Sequence, residues 1–159
     1  MTAASAALRE QLARVLSWGD AHAGFDKAVD GLAPNLRGVR VKGFPHSAWE
    51  LLEHLRLAQF DILDFCRNPN YHELKWPDDY WPKSPEPPSE TAWDDAIAAF
   101  RKDRREMQAL AADESIDLFA KIPHGTGQTI LREILLVADH NAYHVGQIVM
   151  LRQQLGAWG

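Results

Sequence analysis

The sequence has a single cysteine, Cys66, so the chain cannot form an internal disulfide. It also lacks a block of lysine and arginine, and its formal net charge at pH 7 is −5. Because proteins that bind nucleic acids or anionic membranes need clustered cations, we expect neither among its partners. No apolar run reaches the length of a membrane-spanning helix, and the N-terminal segment lacks the apolar core of a signal peptide. These absences predict a cytoplasmic location.

The sequence also lacks internal repeats and the alternating apolar pattern typical of strands. Its apolar residues instead recur at the three- and four-residue spacing of helices. The hydrophobic content of 46% supports one domain, residues 1–159, with one sizeable core. The pattern predicts four helices, at residues 4–32, 47–66, 90–110 and 129–155. A kink is expected in the first of them, at Trp18–Gly19. We therefore predict an all-α four-helix bundle with long connectors after helices one and two.

Several residues mark the ends of these predicted helices. Ser47 and Glu50 have the spacing of a capping box, in which each side chain bonds the backbone N–H of the other residue. Ser89 is the expected N-cap of the third helix, and Thr129 lies near the start of the fourth. Gly156 suits the C-terminal end of the fourth helix. The ends of helices two and four are therefore the best defined.

His140 and His144 lie four residues apart within the last predicted helix. This spacing places both imidazoles on one helical face, one turn apart, where both can reach a single ion. His54 lies on the apolar face of the second predicted helix and offers a third ligand. Three imidazoles suit Zn²⁺ or a related divalent ion and leave a position open for water or substrate. The spacing alone fits equally well with partly buried histidines that bond to backbone or carboxylate groups.

Two polar residues share the helical face of this histidine pair. Gln147 lies three residues after His144, and Glu133 lies seven residues before His140. Metal-bound histidines commonly need a hydrogen-bond acceptor on their other ring nitrogen, so both residues are candidate neighbours of the site. Each is equally plausible as an ordinary polar residue at the edge of the bundle.

His22 and Asp26, four residues apart in the first predicted helix, are further candidate neighbours of the site. The favoured interpretation is a surface pair in which the two side chains bond to each other. Cys66 lies three turns beyond His54, too far along the helix to share its ion. We expect Cys66 to act as a small buried hydrophobe and not as a nucleophile.

The segment from residue 68 to residue 89 contains six prolines and lacks a helical period. Its large aromatic residues are Tyr71, Trp76, Tyr80 and Trp81. Loops longer than about 12–15 residues are uncommon in compact domains and are usually functional covers or disordered links. Four aromatic rings are costly to leave in water, so we predict that the loop packs over one end of the bundle. Packing alone is the favoured role, and lining a substrate pocket is the alternative.

Two segments carry a resemblance to a known family. They are residues 46–55, HSAWELLEHL, and residues 139–147, DHNAYHVGQ. Both resemble the signature segments of the DinB/YfiT-like superfamily of metalloenzymes, and the likeness in helix order and aromatic loop extends over nearly the full chain. The resemblance implies a four-helix bundle that holds a divalent ion, often Zn²⁺ or Ni²⁺, through histidines of helices two and four. In this sequence those ligands are His54, His140 and His144.

The resemblance implies less about the reaction. Some members of the superfamily are transferases or isomerases that use bacillithiol, mycothiol or a related low-molecular-weight thiol, and others are described as metal-dependent hydrolases. We expect a metal-dependent transferase that acts on a small-molecule substrate with such a thiol as cosubstrate. A metal-dependent hydrolase and a non-catalytic bundle that binds metal or a small ligand are the alternatives. Relatives of this size often pair, which adds the expectation of a homodimer.

Overall fold

The computed structural model describes residues 2–159 and shows five α-helices and one short 3₁₀ helix, Pro34–Leu36, within them. Their bounds are α1 Ala3–Val15, α2 Phe25–Val29, α3 Ala48–Arg67, α4 Ala92–Ala112 and α5 Ile130–Gln154. The same residues contain no strand, only an isolated bridge between Lys121 and Thr129. Within residues 2–159, no helix combines the length and the apolar character that a membrane span requires. The predicted all-α bundle of four long helices is confirmed.

The first predicted helix, residues 4–32, is wrong in its extent. α1 ends at Val15, and the backbone N–H of Ser17 bonds three residues back to Arg14 (3.0 Å), which tightens the last turn. Helix resumes only in α2, which Gly24 precedes as N-cap. Serine and glycine favour helix weakly, so the expected kink is a complete break between two helices.

The predicted ends of helices two and four are confirmed. In the capping box of α3, the Glu50 N–H donates to Ser47 Oγ (3.2 Å), and the Ser47 N–H donates to Glu50 Oε2 (2.8 Å). The Thr129 hydroxyl accepts from the N–H of Arg132 at the start of α5 (3.2 Å). Gly156 follows α5 with φ of 66°, a left-handed conformation that glycine adopts without strain.

The third predicted helix begins later than expected. α4 starts at Ala92, and its N-cap is Thr91, whose side chain makes no capping hydrogen bond. Ser89 instead lies before the helix, where its carbonyl accepts from the N–H of Ala92 (3.3 Å). A good capping residue type therefore does not fix this end.

α3 packs against both α4 and α5, while α1 packs against α4. The buried apolar side chains form two clusters, one at each end of these helices. A buried polar layer lies between the clusters. In it Gln59 donates to the carbonyl of Phe100 (2.8 Å), and Asn141 donates to Gln59 Oε1 (2.9 Å). This layer links α3, α4 and α5 next to the level of His54 and His140.

A buried arginine of α5 holds the short helix α2. Arg152 is 6% exposed, and its Nη1 donates to the carbonyls of Ala28 (2.8 Å) and Asp30 (2.7 Å). The last carbonyls of a helix lack partners within it, so the guanidinium supplies the missing donors. α2 is thereby fixed against the C-terminal part of α5.

Candidate metal centre

The three predicted histidines come together between α3 and α5. One ring nitrogen each of His54, His140 and His144 lies within 4.8 Å of the other two. His54 Nε2 and His140 Nε2 are 3.0 Å apart. Two nitrogen ligands at about 2.0–2.1 Å from a tetrahedral zinc ion lie roughly 3.3 Å apart. The His54–His140 pair is thus spaced to share one ion, and a ring nitrogen of His144 lies within 4.8 Å of both.

The surroundings of the cluster keep its rings neutral. His54 is 2% exposed and His144 is 8% exposed. Burial lowers the pKa of His54 and of His140 to about 4, and it also lowers the pKa of His144. A metal ligand needs the lone pair of a neutral imidazole, so these histidines are ready to bind metal at pH 7. Neutral ligands also leave the charge of an ion uncompensated, which strengthens its effect on a bound group.

Two of the histidines have hydrogen-bond acceptors for their other ring nitrogen. His54 Nδ1 lies 2.9 Å from the backbone carbonyl oxygen of Tyr80, and His144 Nδ1 lies 2.6 Å from Gln147 Oε1. Because both acceptors are carbonyl oxygens, Nδ1 carries the proton in each ring and Nε2 keeps its lone pair. Gln147 therefore lies where the helical spacing predicts, beside a histidine of the cluster.

The aromatic loop between α3 and α4 contacts the cluster directly. The Trp81 indole stacks on His54 with ring centroids 3.9 Å apart and an angle of 2° between the planes. Its other face stacks on His46 at 3.9 Å and 14°. The loop thus covers one face of a predicted metal ligand. Its contacts with Ser47, His54 and Asp61 place it along α3 and not over one end of the bundle as predicted.

A cavity of about 610 Å³ opens beside His54 and His140, between α3, α5, the aromatic loop and residues 124–128 of the connector before α5. Its apolar wall is formed by Ile62, Phe65, Trp76 and Leu136. A cavity of this volume suits a small molecule. The alternative prediction for the loop, that it lines a pocket, agrees with this arrangement.

Two buried carboxylates line the same cavity, and both have partners. Asp61 accepts hydrogen bonds from the hydroxyls of Tyr80 (2.6 Å) and Tyr71 (2.9 Å). Glu133 is 2% exposed and accepts from Arg132 Nη1 at 2.7 Å. Glu133 therefore shares the cavity with His140, as its spacing predicts, but its partner is an arginine and not a histidine.

His22 and Asp26 lie outside the histidine cluster, and they do not bond to each other. His22 is exposed, with Nδ1 3.0 Å from the carbonyl oxygen of Ala23. Asp26 accepts from Arg101 Nε (2.7 Å) and Arg104 Nη2 (2.9 Å), which ties α2 to α4. The break between α1 and α2 removes the helical register on which both interpretations of this pair depended.

The residues that sequence reasoning missed are Asp61, His46 and the specific contacts of Tyr80 and Trp81. Asp61 follows His54 by seven residues, so the helical period offers a signal for it. A backbone carbonyl from a loop leaves no such signal. For Cys66, burial raises the pKa of the thiol to about 12, which agrees with the expectation of a hydrophobe and not a nucleophile.

A family model described as the DinB superfamily matches residues 4–148. The matched range contains the three clustered histidines and the aromatic loop. Neither a curated protein nor a solved structure matches the chain.

Proposed function

Because the chain belongs to the DinB superfamily, we propose that it is a metal-dependent transferase with a low-molecular-weight thiol as cosubstrate. His54, His140 and His144 would hold one divalent ion, Zn²⁺ or Ni²⁺. The supporting observation is the convergence of three neutral imidazoles at the edge of a cavity of about 610 Å³. Three protein ligands with an open position are typical of catalytic zinc sites, whereas structural sites are closed by a fourth ligand.

A divalent ion held there supplies Lewis acidity, which favours a thiolate over a thiol at neutral pH. The protein's own residues prepare the site for this chemistry. The Tyr80 carbonyl and Gln147 Oε1 orient two of the rings, and Trp81 shields one face of His54 from water. The apolar wall of the cavity accommodates the electrophilic substrate. In the transfer, the thiol sulfur bonds to the electrophilic carbon, the leaving group departs with its electron pair, and the thiol proton passes to solvent.

The partners of the buried carboxylates favour a thiol over water as the nucleophile. Hydrolysis commonly uses a general base within hydrogen-bond reach of the attacking water. In the described part of the chain, Asp61 is engaged by two tyrosine hydroxyls and Glu133 by Arg132. A thiol, with an ordinary pKa of about 8.5, needs less help to lose its proton than water does. Transfer of a thiol therefore needs less from these two carboxylates than hydrolysis does.

The proposal is tested by thiol consumption with a panel of low-molecular-weight thiols and a fluorogenic electrophile. We expect turnover by the Zn²⁺- or Ni²⁺-loaded protein, and no consumption above the uncatalysed rate by His144→Ala. The control His22→Ala, which changes an exposed histidine outside the cluster, should retain full turnover. Absence of metal-dependent consumption with every thiol would contradict the transferase. Metal-dependent cleavage of an activated ester under the same conditions would favour the hydrolase instead.

A further inference from the structure

Tyr80 bonds to the histidine cluster and to a distant carboxylate at the same time. Its backbone carbonyl oxygen lies 2.9 Å from His54 Nδ1, and its hydroxyl donates to Asp61 Oδ2 at 2.6 Å. His54 and Asp61 are seven residues apart on α3, which is two helical turns or about 10 Å along the axis. One loop residue therefore spans this length of α3 and is held at both ends.

We propose that Asp61 is a positioning residue that acts through Tyr80 to fix the tautomer and orientation of His54. The inference rests on the proposed metal site and extends it to a residue outside the cluster. Asp61 is 8% exposed, and its two oxygens accept the hydroxyls of Tyr80 and Tyr71. A buried carboxylate is costly unless it is hydrogen-bonded, and charge-assisted bonds are strong. The carboxylate is therefore a firm anchor for Tyr80.

The position of Tyr80 decides which nitrogen of His54 carries the proton. With Nδ1–H donating to the Tyr80 carbonyl, the lone pair is on Nε2, the atom that faces His140 at 3.0 Å. The next residue, Trp81, stacks on the same ring at 3.9 Å. Loss of the anchor at Asp61 would loosen the contacts at both the edge and the face of the imidazole.

Tyr71 offers a matched control for Tyr80. Both hydroxyls donate to the Asp61 carboxylate, at 2.9 Å and 2.6 Å. Only Tyr80 also contacts His54. Tyr71→Phe and Tyr80→Phe therefore remove the same kind of bond from the same acceptor and differ in the link to the cluster. If Asp61 served only to hold the loop, the two variants would affect His54 alike.

The direct test is ¹⁵N NMR of histidine-labelled, chelator-treated protein, with His54→Gln to identify the His54 ring signals. In the wild type we expect the Nδ1–H tautomer of His54 with a slowly exchanging ring proton. In Tyr80→Phe and Asp61→Asn the ring should populate both tautomers, and its proton should exchange at least about tenfold faster. Tyr71→Phe should behave as the wild type. If Asp61→Asn does not fold, the two tyrosine variants alone decide the question.

Zn²⁺ affinity, measured by competition with a chelating dye, gives a second readout. Loss of groups that orient metal ligands typically weakens binding by about 10- to 100-fold, so we expect at least a tenfold loss in Tyr80→Phe and none in Tyr71→Phe. The melting temperatures of the two variants should fall by similar amounts. An unchanged His54 ring in Tyr80→Phe, or an equal disturbance in Tyr71→Phe, would overturn the proposal. The ring measurement needs no metal, so failure of the wild type to bind Zn²⁺ would contradict the proposed function separately.

Discussion

At the scale of single residues, the decisive property of the cluster is the neutrality of its imidazoles. A protonated histidine cannot bind a metal ion, because its lone pair is occupied. His54 and His140 avoid protonation because burial lowers the pKa of each to about 4. Charging either ring would also require a compensating partner in the buried interior. The same burial that prepares the ligands therefore makes the metal-free protein sensitive to acid.

This sensitivity predicts the pH dependence of folding. In the unfolded chain a histidine has a pKa of about 6.5, so between pH 6.5 and pH 4 the unfolded state binds more protons than the folded state. The free energy of unfolding of the metal-free protein should fall as the pH is lowered through this window. His54 alone contributes up to about 1.4 kcal/mol per pH unit, and His140 acts in the same direction. Urea unfolding at pH 7, 6 and 5 measures the effect.

A variant separates the histidines from other titrating groups. The double variant His54→Gln/His140→Gln should lose clearly less free energy of unfolding between pH 7 and pH 5 than the wild type does. His72→Gln, which changes an exposed histidine of the loop, should keep the wild-type slope. A wild-type stability that stays constant over this range would contradict the burial of neutral rings.

Individual residues also show how far the candidate site could be predicted. The i, i+4 spacing identified His140 and His144, and the apolar stripe of the second helix identified His54, since both follow from the helical period. The role of Tyr80 could not be predicted, because its backbone carbonyl is placed by the path of an irregular loop. The prediction that His22 and Asp26 are neighbours depends on one continuous first helix. The chain instead breaks between α1 and α2, so the two side chains have other partners.

At the scale of secondary structure, the N-terminus of α3 anchors the loop as well as the helix. Ser47 caps α3 through the N–H of Glu50, and its hydroxyl also donates to the carbonyl of Pro85 at 2.6 Å. Arg40 forms an ion pair with the same Glu50 carboxylate. The capping box therefore joins three segments close to His46 and Trp81.

Ser47→Ala should lower the free energy of unfolding by about 1–2 kcal/mol, because it removes a buried N-cap and the bond to the loop. Thr2→Ala is the matched comparison, since Thr2 caps α1 through the N–H of Ser5 at an exposed helix end. There we expect a loss of about 0.5 kcal/mol. Urea denaturation of both variants measures the difference. Equal losses would show that the bond from Ser47 to the loop contributes nothing.

Local sequence signals predicted some helix ends better than others. The capping box of α3 and Gly156 after α5 act within a few residues of the chain, so they could be recognised directly. The separation of α1 from α2 depends on partners far along the sequence. Arg152 satisfies the last carbonyls of α2, and Arg101 and Arg104 bond to Asp26. Such tertiary bonds override a weak helical pattern, and a single sequence does not show them.

At the scale of the whole molecule, the site lies where buried polar side chains interrupt the apolar core. Two apolar clusters hold the ends of the long helices, and the buried Gln59–Asn141 layer lies between them. The fold class followed from hydrophobic periodicity, because that pattern decides which helical faces are buried. The cavity could not be predicted from this pattern, because two irregular segments, the aromatic loop and residues 124–128, form the rest of its wall. Membership of the DinB superfamily agrees with the fold and with the histidine cluster.

Metal content tests the central claim most directly. Purified protein offered Zn²⁺ or Ni²⁺ and then desalted should hold one ion per chain by elemental analysis. His54→Ala and His144→Ala should each bind more than about 100-fold more weakly, since loss of a ligand exceeds the effect of losing an orienting group. His22→Ala should bind as the wild type does. A wild type without stoichiometric metal, or cluster variants that retain it, would contradict a metal centre built from these three histidines.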